Sequence, residues 1–396
     1  MKAINLKYLV GALSLVLSTS VSAMEEINIW DGAEHDNAIK EAAADFEKEF
    51  NCKVIIQNYP DARQLTKLDA LEEGLAPDIF LLSSDKLDYA IDKELIAPNT
   101  LMQQDQKLYE KDAVEAFVKE GEIYAVPSSI DSLVVFYNKD LIEYPYEDLN
   151  GYKELAQTLK EKGIYSLIGK YNELSVGYGF LASFGGYIFG HDDKGNYDVL
   201  DVGINNEGSV LGLKALAEYA KLMPKELFTQ DGDILVDEYF KSGKAAAVIN
   251  GSWAFADYAK SGINYGIAPL PKLDNGKAIH PFYEVKGYAI STKSKHKDLA
   301  EKFLQYLNQD KYILARYLDT AKVPALLSAL ESPLLLSDEF ASTVLRQVED
   351  ADAMPHVAQA KLIVNPMQKA LSEAILARKD PKSALDEAKI SIMAQY

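Results

Sequence analysis

Cysteine, histidine and tryptophan are all scarce in this chain of 396 residues. Its one cysteine, Cys52, excludes an intramolecular disulfide, a zinc–cysteine cluster and an iron–sulfur site. None of the five histidines has a metal-binding spacing such as H-E-x-x-H. Nucleophile-elbow, phosphate-loop and dinucleotide-binding glycine motifs are also missing. The sequence thus contains no positive sign of catalysis, and we expect neither a metal nor a cofactor.

Positive charge is in short supply as well, with 41 Lys and Arg residues against 60 Asp and Glu residues. The formal net charge of −19 repels phosphate backbones and anionic lipids, which predicts no nucleic-acid partner and no peripheral membrane attachment. An apolar fraction of 48% is ordinary for a globular protein and excludes disorder of the whole chain. The length predicts roughly two to three domain-sized units.

Residues 1–23 have the organisation of an export signal. Lys2 and Lys7 precede an apolar run over 9–17, and Val21 and Ala23 supply the small residues that signal peptidase requires. The apolar run has about half of the roughly 20 residues of a membrane-spanning helix, so we predict cleavage after Ala23 rather than anchoring. Removing two lysines from a net charge of −19 leaves −21. The predicted location is the periplasm of a double-membraned bacterium.

Short apolar strands alternate with amphipathic helices along the rest of the chain. Apolar runs predict strands over 26–30, 54–56 and 78–82. A helix capped by Asp36 or Asn37 follows the first strand, because apolar residues recur at helical spacing after it. The same spacing predicts helices over 210–220 and 299–307. This alternation indicates an α/β fold with a parallel sheet. No flexible linker separates the two α/β units, which suggests lobes joined by more than one chain crossing.

Six short blocks stand in a specific order and spacing: segments 77–80, 137–141, 185–187, 201–203, 243–253 and 354–355. With these blocks the chain resembles the extracellular solute-binding proteins of ABC sugar importers, in particular the maltose/maltodextrin binders. The resemblance covers the chain from about Ile27 almost to Tyr396 and implies a type II periplasmic binding protein fold with two discontinuous lobes. The implied division is a signal peptide over 1–23, one lobe from 24–129 and 286–323, and a second lobe from 130–285 and 324–396. Three hinge crossings are implied near 128–131, 282–286 and 322–325.

A sugar site combines carboxylates, which accept hydrogen bonds from hydroxyls, with flat aromatic rings that cover the C–H faces. The resemblance implies seven ligand-binding residues: Asp36, Asn37, Asp85, Lys86, Asp131, Glu173 and Trp253. The alignment near Asp36 needs a one-residue gap, so Glu34 and His35 are alternatives there. Independently of the resemblance, the small apolar strand over 245–249 ends in a turn that presents Trp253 at its carboxyl end, where ligands of α/β sheets bind. A core position is the alternative for Trp253, whereas Trp30 is predicted to lie in the core.

Four positions depart from the pattern of the family, where aromatic residues or an arginine are expected: Leu82, Ser175, Val364 and Gln368. Tyr171 and Tyr178 lie close to Ser175 and are candidates to replace its missing ring. The loss of two stacking platforms leaves the identity and length of the sugar open.

These features predict a monomeric, non-catalytic subunit of an ABC importer. It would bind a maltose- or maltodextrin-like oligosaccharide, close about its hinge and deliver the sugar to an inner-membrane permease complex. Two alternatives stay open. One is an exported glycoside hydrolase that uses two of the carboxylates Asp85, Asp131 and Glu173. The other is a protein of the same fold that binds a cationic solute, either a polyamine or ferric ion.

Overall fold

The computed structural model describes residues 24–32, 36–193 and 196–396. The predicted export signal over 1–23, together with Glu34 and His35, lies outside the described residues. Within them, no helix combines the length and the apolar character needed to cross a membrane.

Strands and helices alternate through the described part of the chain. The strands are β1 (Glu26–Asp31), β2 (Lys53–Asn58), β3 (Ile79–Ser83), β4 (Val118–Lys119), β5 (Glu122–Ile123), β6 (Val126–Asn138), β7 (Tyr165–Ile168), β8 (Phe189–His191), β9 (Tyr197–Val202), β10 (Ala245–Gly251), β11 (Tyr265–Ala268), β12 (Phe282–Ile290), β13 (Val323–Pro324) and β14 (Asp352–Ala353). The α-helices are α1 (Asn37–Phe50), α2 (Asp61–Asp69), α3 (Leu87–Asp92), α4 (Thr100–Asp105), α5 (Lys111–Glu115), α6 (Leu149–Leu159), α7 (Leu174–Ala182), α8 (Glu207–Ala220), α9 (Gly232–Lys241), α10 (Phe255–Ser261), α11 (Lys297–Leu307), α12 (Asp310–Thr320), α13 (Leu327–Leu330), α14 (Pro333–Leu336), α15 (Glu339–Glu349), α16 (Ala360–Ile375) and α17 (Pro381–Met393). Short 3₁₀ helices cover Ser84–Lys86, Gln106–Leu108, Lys160–Lys162, Lys225–Phe228 and Ser252–Ala254.

The elements predicted from apolar periodicity are present. The three predicted strands are β1, β2 and β3, and the predicted helices are α1, α8 and α11. Helix α1 begins as expected at a capping acid, because Oδ1 of Asp36 accepts a hydrogen bond of 3.1 Å from the backbone N–H of Ile39. Its apolar stripe, which includes Ile39 and Phe46, is buried.

The central sheet is mixed, so the prediction of a parallel sheet is correct only in part. The strand order along its main path is β2-β1-β3-β12-β6-β10-β7. Strand β1 is parallel to β2 and β3, and β10 is parallel to β7. Strand β12, however, is antiparallel to both β3 and β6, and β10 is antiparallel to β6. The sequence pattern missed this because right-handed helical crossovers govern only strands that follow one another within one α/β unit.

Strand β6 joins two groups of strands. Its first half pairs with β12 on one side and β13 on the other, with Val323 opposite Ile130. Its second half pairs with β10 and β11. All three predicted hinge crossings are therefore neighbours in one sheet, since they lie in β6, β12 and the segment around β13. The division of the chain into lobes at the stated residues stays a prediction.

The core confirms the prediction for Trp30, which is 4% exposed and stacks on Tyr59 with ring centroids 4.6 Å apart. Cys52, between α1 and β2, is also buried as a free thiol. Burial, together with the nearby carboxylates of Glu47 and Glu25, raises the pKa of this thiol. Such a thiol is a packing residue of the core and is poorly reactive.

Candidate functional site

A cavity of about 520 Å³ lies beside the predicted hinge, and we call it the hinge cavity. One wall comes from the end of β3 and the following 3₁₀ turn, the floor from β12, and the opposite wall from α16 and the segment before it. Its charged lining residues are Asp85, Lys86, Glu284, Lys286, His356 and Lys361. Apolar side chains line much of the remainder, Leu82 and Val364 among them. A concave site with apolar walls and a few polar groups is the usual form of a small-molecule site.

Asp85 and Lys86 form a neighbouring ion pair at the wall of the hinge cavity. They lie in the 3₁₀ turn directly after β3, and Nζ of Lys86 is 2.5 Å from Oδ2 of Asp85. The carboxylate accepts from hydroxyls, and the ammonium group donates to them. Both groups are thus available at the cavity wall, and their role in hydroxyl recognition stays a prediction; Leu82 beside them offers no aromatic face.

Three carboxylates lie close together where β3, β12 and β6 run side by side, and two of them, Asp85 and Glu284, line the hinge cavity. Glu284 of β12 pairs directly with Asp131 of β6. Ser83 of β3 pairs with Lys286 of β12. Because the two strands are antiparallel, the chain two residues after Ser83, at Asp85, comes beside Glu284, two residues before Lys286. Electrostatics agree with this arrangement, because burial and the charges of Asp85 and Asp131 raise the pKa of Glu284, against the lowering effect of Lys286.

Glu284 and Lys286 were not among the residues predicted to bind ligand. They lie inside the predicted hinge segment 282–286, and the two-residue period of a strand places Phe282, Glu284 and Lys286 on one face. The sequence did contain a signal for these two residues, namely two charged side chains at alternate positions of an otherwise apolar strand.

Asp131 is linked across the sheet to the turn that carries Trp253. The hydroxyl of Ser252 donates a hydrogen bond of 2.7 Å to Oδ1 of the nearly buried Asp131. Ser252 and Trp253 begin the 3₁₀ turn that follows β10. The indole of Trp253 is 64% exposed, so its side chain is not a core residue, and the core alternative is wrong.

The indole ring of Trp253 packs directly on the backbone of Gly251. A Cβ atom at this glycine would lie 2.0 Å from Cζ3 of Trp253, which is an impossible contact. The absence of a side chain thus lets the ring rest on the backbone while much of its surface stays open. A flat, supported and solvent-exposed ring suits the apolar face of a sugar.

Comparisons with known proteins identify the family of the chain. Residues 41–345 match the family described as bacterial extracellular solute-binding protein. The chain is 33% identical over 383 residues to the galactooligosaccharide-binding protein of Bacillus subtilis, covering 93% of this chain and 89% of that protein. It is 29% identical over 355 residues to the maltodextrin-binding protein MdxE of the same organism, covering 87% and 83%.

The chain belongs to the bacterial extracellular solute-binding proteins.

Solved structures of related proteins confirm the predicted type II fold. A cyclo/maltodextrin-binding protein complexed with maltotetraose superimposes with a TM-score of 0.85 at 26% identity, covering 95% of this chain and 98% of that one. The maltose-binding periplasmic protein MalE of Listeria monocytogenes, in complex with maltose, also gives a TM-score of 0.85, at 29% identity and with 94% and 98% coverage.

The solute-binding protein places Asp36 and Asn37 differently from the other predicted ligand residues. Asp36 has no exposed surface, because it caps α1 and lies 2.8 Å from Nε of Arg316 through its other oxygen. In this arrangement it is a structural residue and is not presented to a ligand. Asn37 is exposed at the start of α1, where its backbone N–H donates to Oδ2 of Asp319 at 2.9 Å.

Arg316 organises a buried polar cluster at the end of β1. Its guanidinium contacts Asp31 at 3.2 Å through Nη2, and its Nη1 donates to Tyr288 at 2.5 Å and to Ser128 at 3.1 Å. Together with Asp36, these residues form what we call the arginine cluster. It connects β1, α1, α12, β12 and the first predicted hinge segment, and it fixes the sheet from which the cavity floor is built.

Glu173 lies apart from the floor carboxylates, at the position before α7. It is half-buried, and burial raises its pKa against the lowering effect of Lys170. Its neighbour Leu174 lines the hinge cavity, but Glu173 itself does not. The structure thus brings Glu173 to the rim of this site and not into its floor.

The two tyrosines suggested as replacement platforms do not serve as such, which corrects that expectation. Tyr171 is fully buried in the core, against Phe180. Tyr178 is nearly buried, because its ring stacks on Phe282 with centroids 3.9 Å apart and its hydroxyl donates to Asp352 at 2.6 Å. Tyr178 is thus engaged through both its ring and its hydroxyl, and Tyr171 is enclosed by the core with no described partner for its hydroxyl, so neither ring is free for a sugar.

A second cavity of about 1040 Å³ adjoins the hinge cavity. The two share Ile188, Phe282 and Pro355. Tyrosines and a His280–Asp352 pair, with Nε2 and Oδ1 3.0 Å apart, line the larger cavity. None of the predicted ligand residues lines it. Two of the seven, Asp85 and Lys86, line the smaller hinge cavity, and we therefore place the candidate site there. Within the ranges that the structure describes, no group of three or more His, Cys, Asp or Glu side chains is arranged to hold a metal ion.

Proposed function

We propose that this protein is the oligosaccharide-binding subunit of an ABC importer, exported to the periplasm through a cleaved signal and lacking catalytic activity. The observation that carries the proposal is the hinge cavity, which combines the carboxylates of Asp85 and Glu284 with apolar walls, together with the exposed ring of Trp253, which follows the Ser252 bonded to Asp131. Rings and carboxylates together match the apolar faces and hydroxyl edges of a sugar. Support also comes from relatives whose names include galactooligosaccharide binding and maltodextrin binding.

The proposed mechanism is closure of two lobes about the hinge. We assign one lobe to 24–129 and 286–323, and the other to 130–285 and 324–396. A sugar that contacts Asp85 on one lobe and Trp253 on the other binds the closed state more tightly and shifts the population towards it. The closed monomer then docks on the inner-membrane permease complex. The net charge of −19 supports a partner other than nucleic acid.

We expect oligosaccharides, and neither polyamines nor ferric ion, to raise the melting temperature of the protein. A ligand that binds only the native state stabilises it, by about 2.7 kcal/mol at a concentration of about 100 times Kd. Differential scanning fluorimetry against galacto-oligosaccharides, malto-oligosaccharides, spermidine and ferric citrate measures this directly. A rise with the cations alone would contradict the sugar proposal.

The same samples separate binding from hydrolysis. We expect no new reducing ends after prolonged incubation with the stabilising oligosaccharide, because a binding protein returns its ligand intact. The glycosidase alternative instead requires turnover by two carboxylates, and at least two of the variants Asp85→Asn, Asp131→Asn and Glu173→Gln should then abolish the release of reducing ends.

We also expect the protein to become more compact when the sugar binds. Small-angle X-ray scattering with and without saturating ligand should show a smaller radius of gyration in the bound state. A ligand-free profile that superimposes on the bound profile would contradict hinge closure while leaving sugar binding intact. A sugar that does not raise the melting temperature serves as the control for the added solute. Maltodextrin is this control if it does not bind, and lactose is the control if malto-oligosaccharides bind.

A further inference from the structure

Glu284 occupies the middle of the cavity floor. Strand β12 lies between β3 and β6 in the sheet, and Glu284 pairs with Asp131 on the β6 side. On the β3 side, the pairing of Lys286 with Ser83 leads towards Asp85. Glu284 also lines the hinge cavity, so its carboxyl group is both flanked by two acids and adjacent to the space that a ligand would fill.

Charged residues on several neighbouring elements surround Glu284. Asp85 and Asp131 raise its pKa, as does burial, while Lys286 and a hydrogen bond with Ser83 lower it. The remaining charged residues of the cavity lining are Lys86, His356 and Lys361. Lys86 is paired with Asp85, and Nδ1 of His356 is 3.0 Å from Oδ1 of Asp88. Lys361 lies exposed on the first turn of α16.

We propose that Glu284 contacts the bound oligosaccharide and takes up one proton from solvent when the sugar binds. The inference rests on the proposed function and adds a specificity-determining residue to it. A sugar that fills the cavity displaces the water that hydrates this carboxylate, while Asp85 and Asp131 continue to repel its charge. The protonated carboxyl group relieves both costs, and it both donates to one sugar hydroxyl and accepts from another.

Proton uptake makes the affinity fall as the pH rises. For one proton taken up, Kd increases by at most about tenfold per pH unit, and the increase occurs above the pKa of Glu284 in the free protein. Isothermal titration calorimetry of the full chain, with the oligosaccharide that stabilises it most, measures Kd from about pH 5 to about pH 8. Repeating each titration in two buffers with different ionisation enthalpies counts the protons directly. We expect an uptake that approaches one.

Two variants assign the proton to its group. In Glu284→Gln the amide still donates and accepts hydrogen bonds but does not titrate, so we expect binding to persist without proton uptake and without the pH dependence. Glu154→Gln, at an exposed position of α6 away from the cavity lining, should behave like the wild type. Thermal unfolding of both variants checks that they fold.

Each outcome decides the inference. Wild-type binding without proton uptake, or with proton release, overturns it while leaving the sugar proposal standing. A pH dependence that persists in folded Glu284→Gln assigns the proton to another group and also overturns it. If none of the oligosaccharides binds the wild type, both the proposed function and this role of Glu284 fail. The two-buffer measurement on the wild type decides the question even if Glu284→Gln does not fold.

Discussion

Replacing Arg316 with methionine is expected to lower the free energy of unfolding by about 3–5 kcal/mol, because it removes the guanidinium that pairs with both Asp31 and Asp36 in the arginine cluster. Both carboxylates are almost completely buried. Arg316 is also the main influence that lowers the pKa of Asp36 against the effect of burial. Without it, two like charges remain in an apolar environment and lose the attraction that offset their desolvation.

The pH dependence of this variant has a definite sign. Burial already holds the pKa of Asp36 above its ordinary value in the wild type, and losing the lowering effect of Arg316 raises it further. The folded variant then binds more protons than the unfolded chain, so its stability is highest at low pH and falls as the pH rises through the folded pKa. The destabilisation relative to the wild type should therefore be larger at about pH 7 than at about pH 5.

Urea unfolding followed by circular dichroism measures both effects. Arg346→Met is the matched control, because Arg346 lies exposed on α15 and bonds only to Thr343 at 3.2 Å among its described hydrogen bonds. A change within about 0.5 kcal/mol is expected there. An Arg316→Met variant as stable as this control would show that the arginine cluster does not hold the sheet together.

Replacing Trp253 with alanine is expected to weaken sugar binding by about 2 kcal/mol, or about thirtyfold in Kd. One face of an indole covers about 100 Å² of sugar surface, and each Å² of apolar area removed from water is worth about 25 cal/mol. Because the side chain is 64% exposed, its removal should leave the melting temperature of the free protein nearly unchanged. Calorimetric titration and thermal unfolding of the variant test the two statements separately.

Further variants distinguish the contribution of the Trp253 ring to sugar affinity from that of Gly251, on which the ring packs. Trp253→Tyr keeps a flat platform and should retain most of the affinity. Gly251→Ala keeps the indole but places a methyl group where Cζ3 now lies, so the ring must move and binding should weaken. Leu336→Ala, which truncates another exposed apolar side chain, should have no effect. Sugar binding by Trp253→Ala that equals the wild type would remove Trp253 from the proposed site.

Tryptophan fluorescence offers an independent measurement of the same site. The chain has two tryptophans, and Trp30 is buried against Tyr59. A change in emission on adding sugar should therefore come from Trp253 and disappear in the Trp253→Tyr variant.

Local sequence patterns predicted the elements of this fold well and their arrangement less well. The capping acid of α1, the strands β1 to β3 and the buried Trp30 all follow from short-range periodicity and turn chemistry. The antiparallel position of β12 does not, because its partners β3 and β6 are separated from it by more than a hundred residues. The resemblance to a known family provided the fold that these patterns alone left open.

The candidate site shows the same limit. The resemblance implied Asp36 as a ligand residue, but in the structure it is buried and pairs with Arg316, which is 280 residues further along the chain. Glu284 was missed for the corresponding reason, since only strand pairing places it between Asp85 and Asp131. Tyr171 and Tyr178 were likewise close in sequence to the expected platform, while packing turned them into the interior. Residue type predicts chemistry, but tertiary neighbours decide whether that chemistry faces a ligand.

Because the thiol of Cys52 is buried, fluorescent dyes can be attached selectively to cysteines introduced elsewhere in the protein. Since this thiol is the only sulfhydryl in the chain and has almost no accessible surface, maleimide dyes find no native attachment point while the protein is folded. Cysteines introduced at the exposed Leu75 and Leu200 would carry a donor and an acceptor fluorophore on the two proposed lobes. Energy transfer between these dyes then follows the motion of the lobes in real time, without first replacing a native residue.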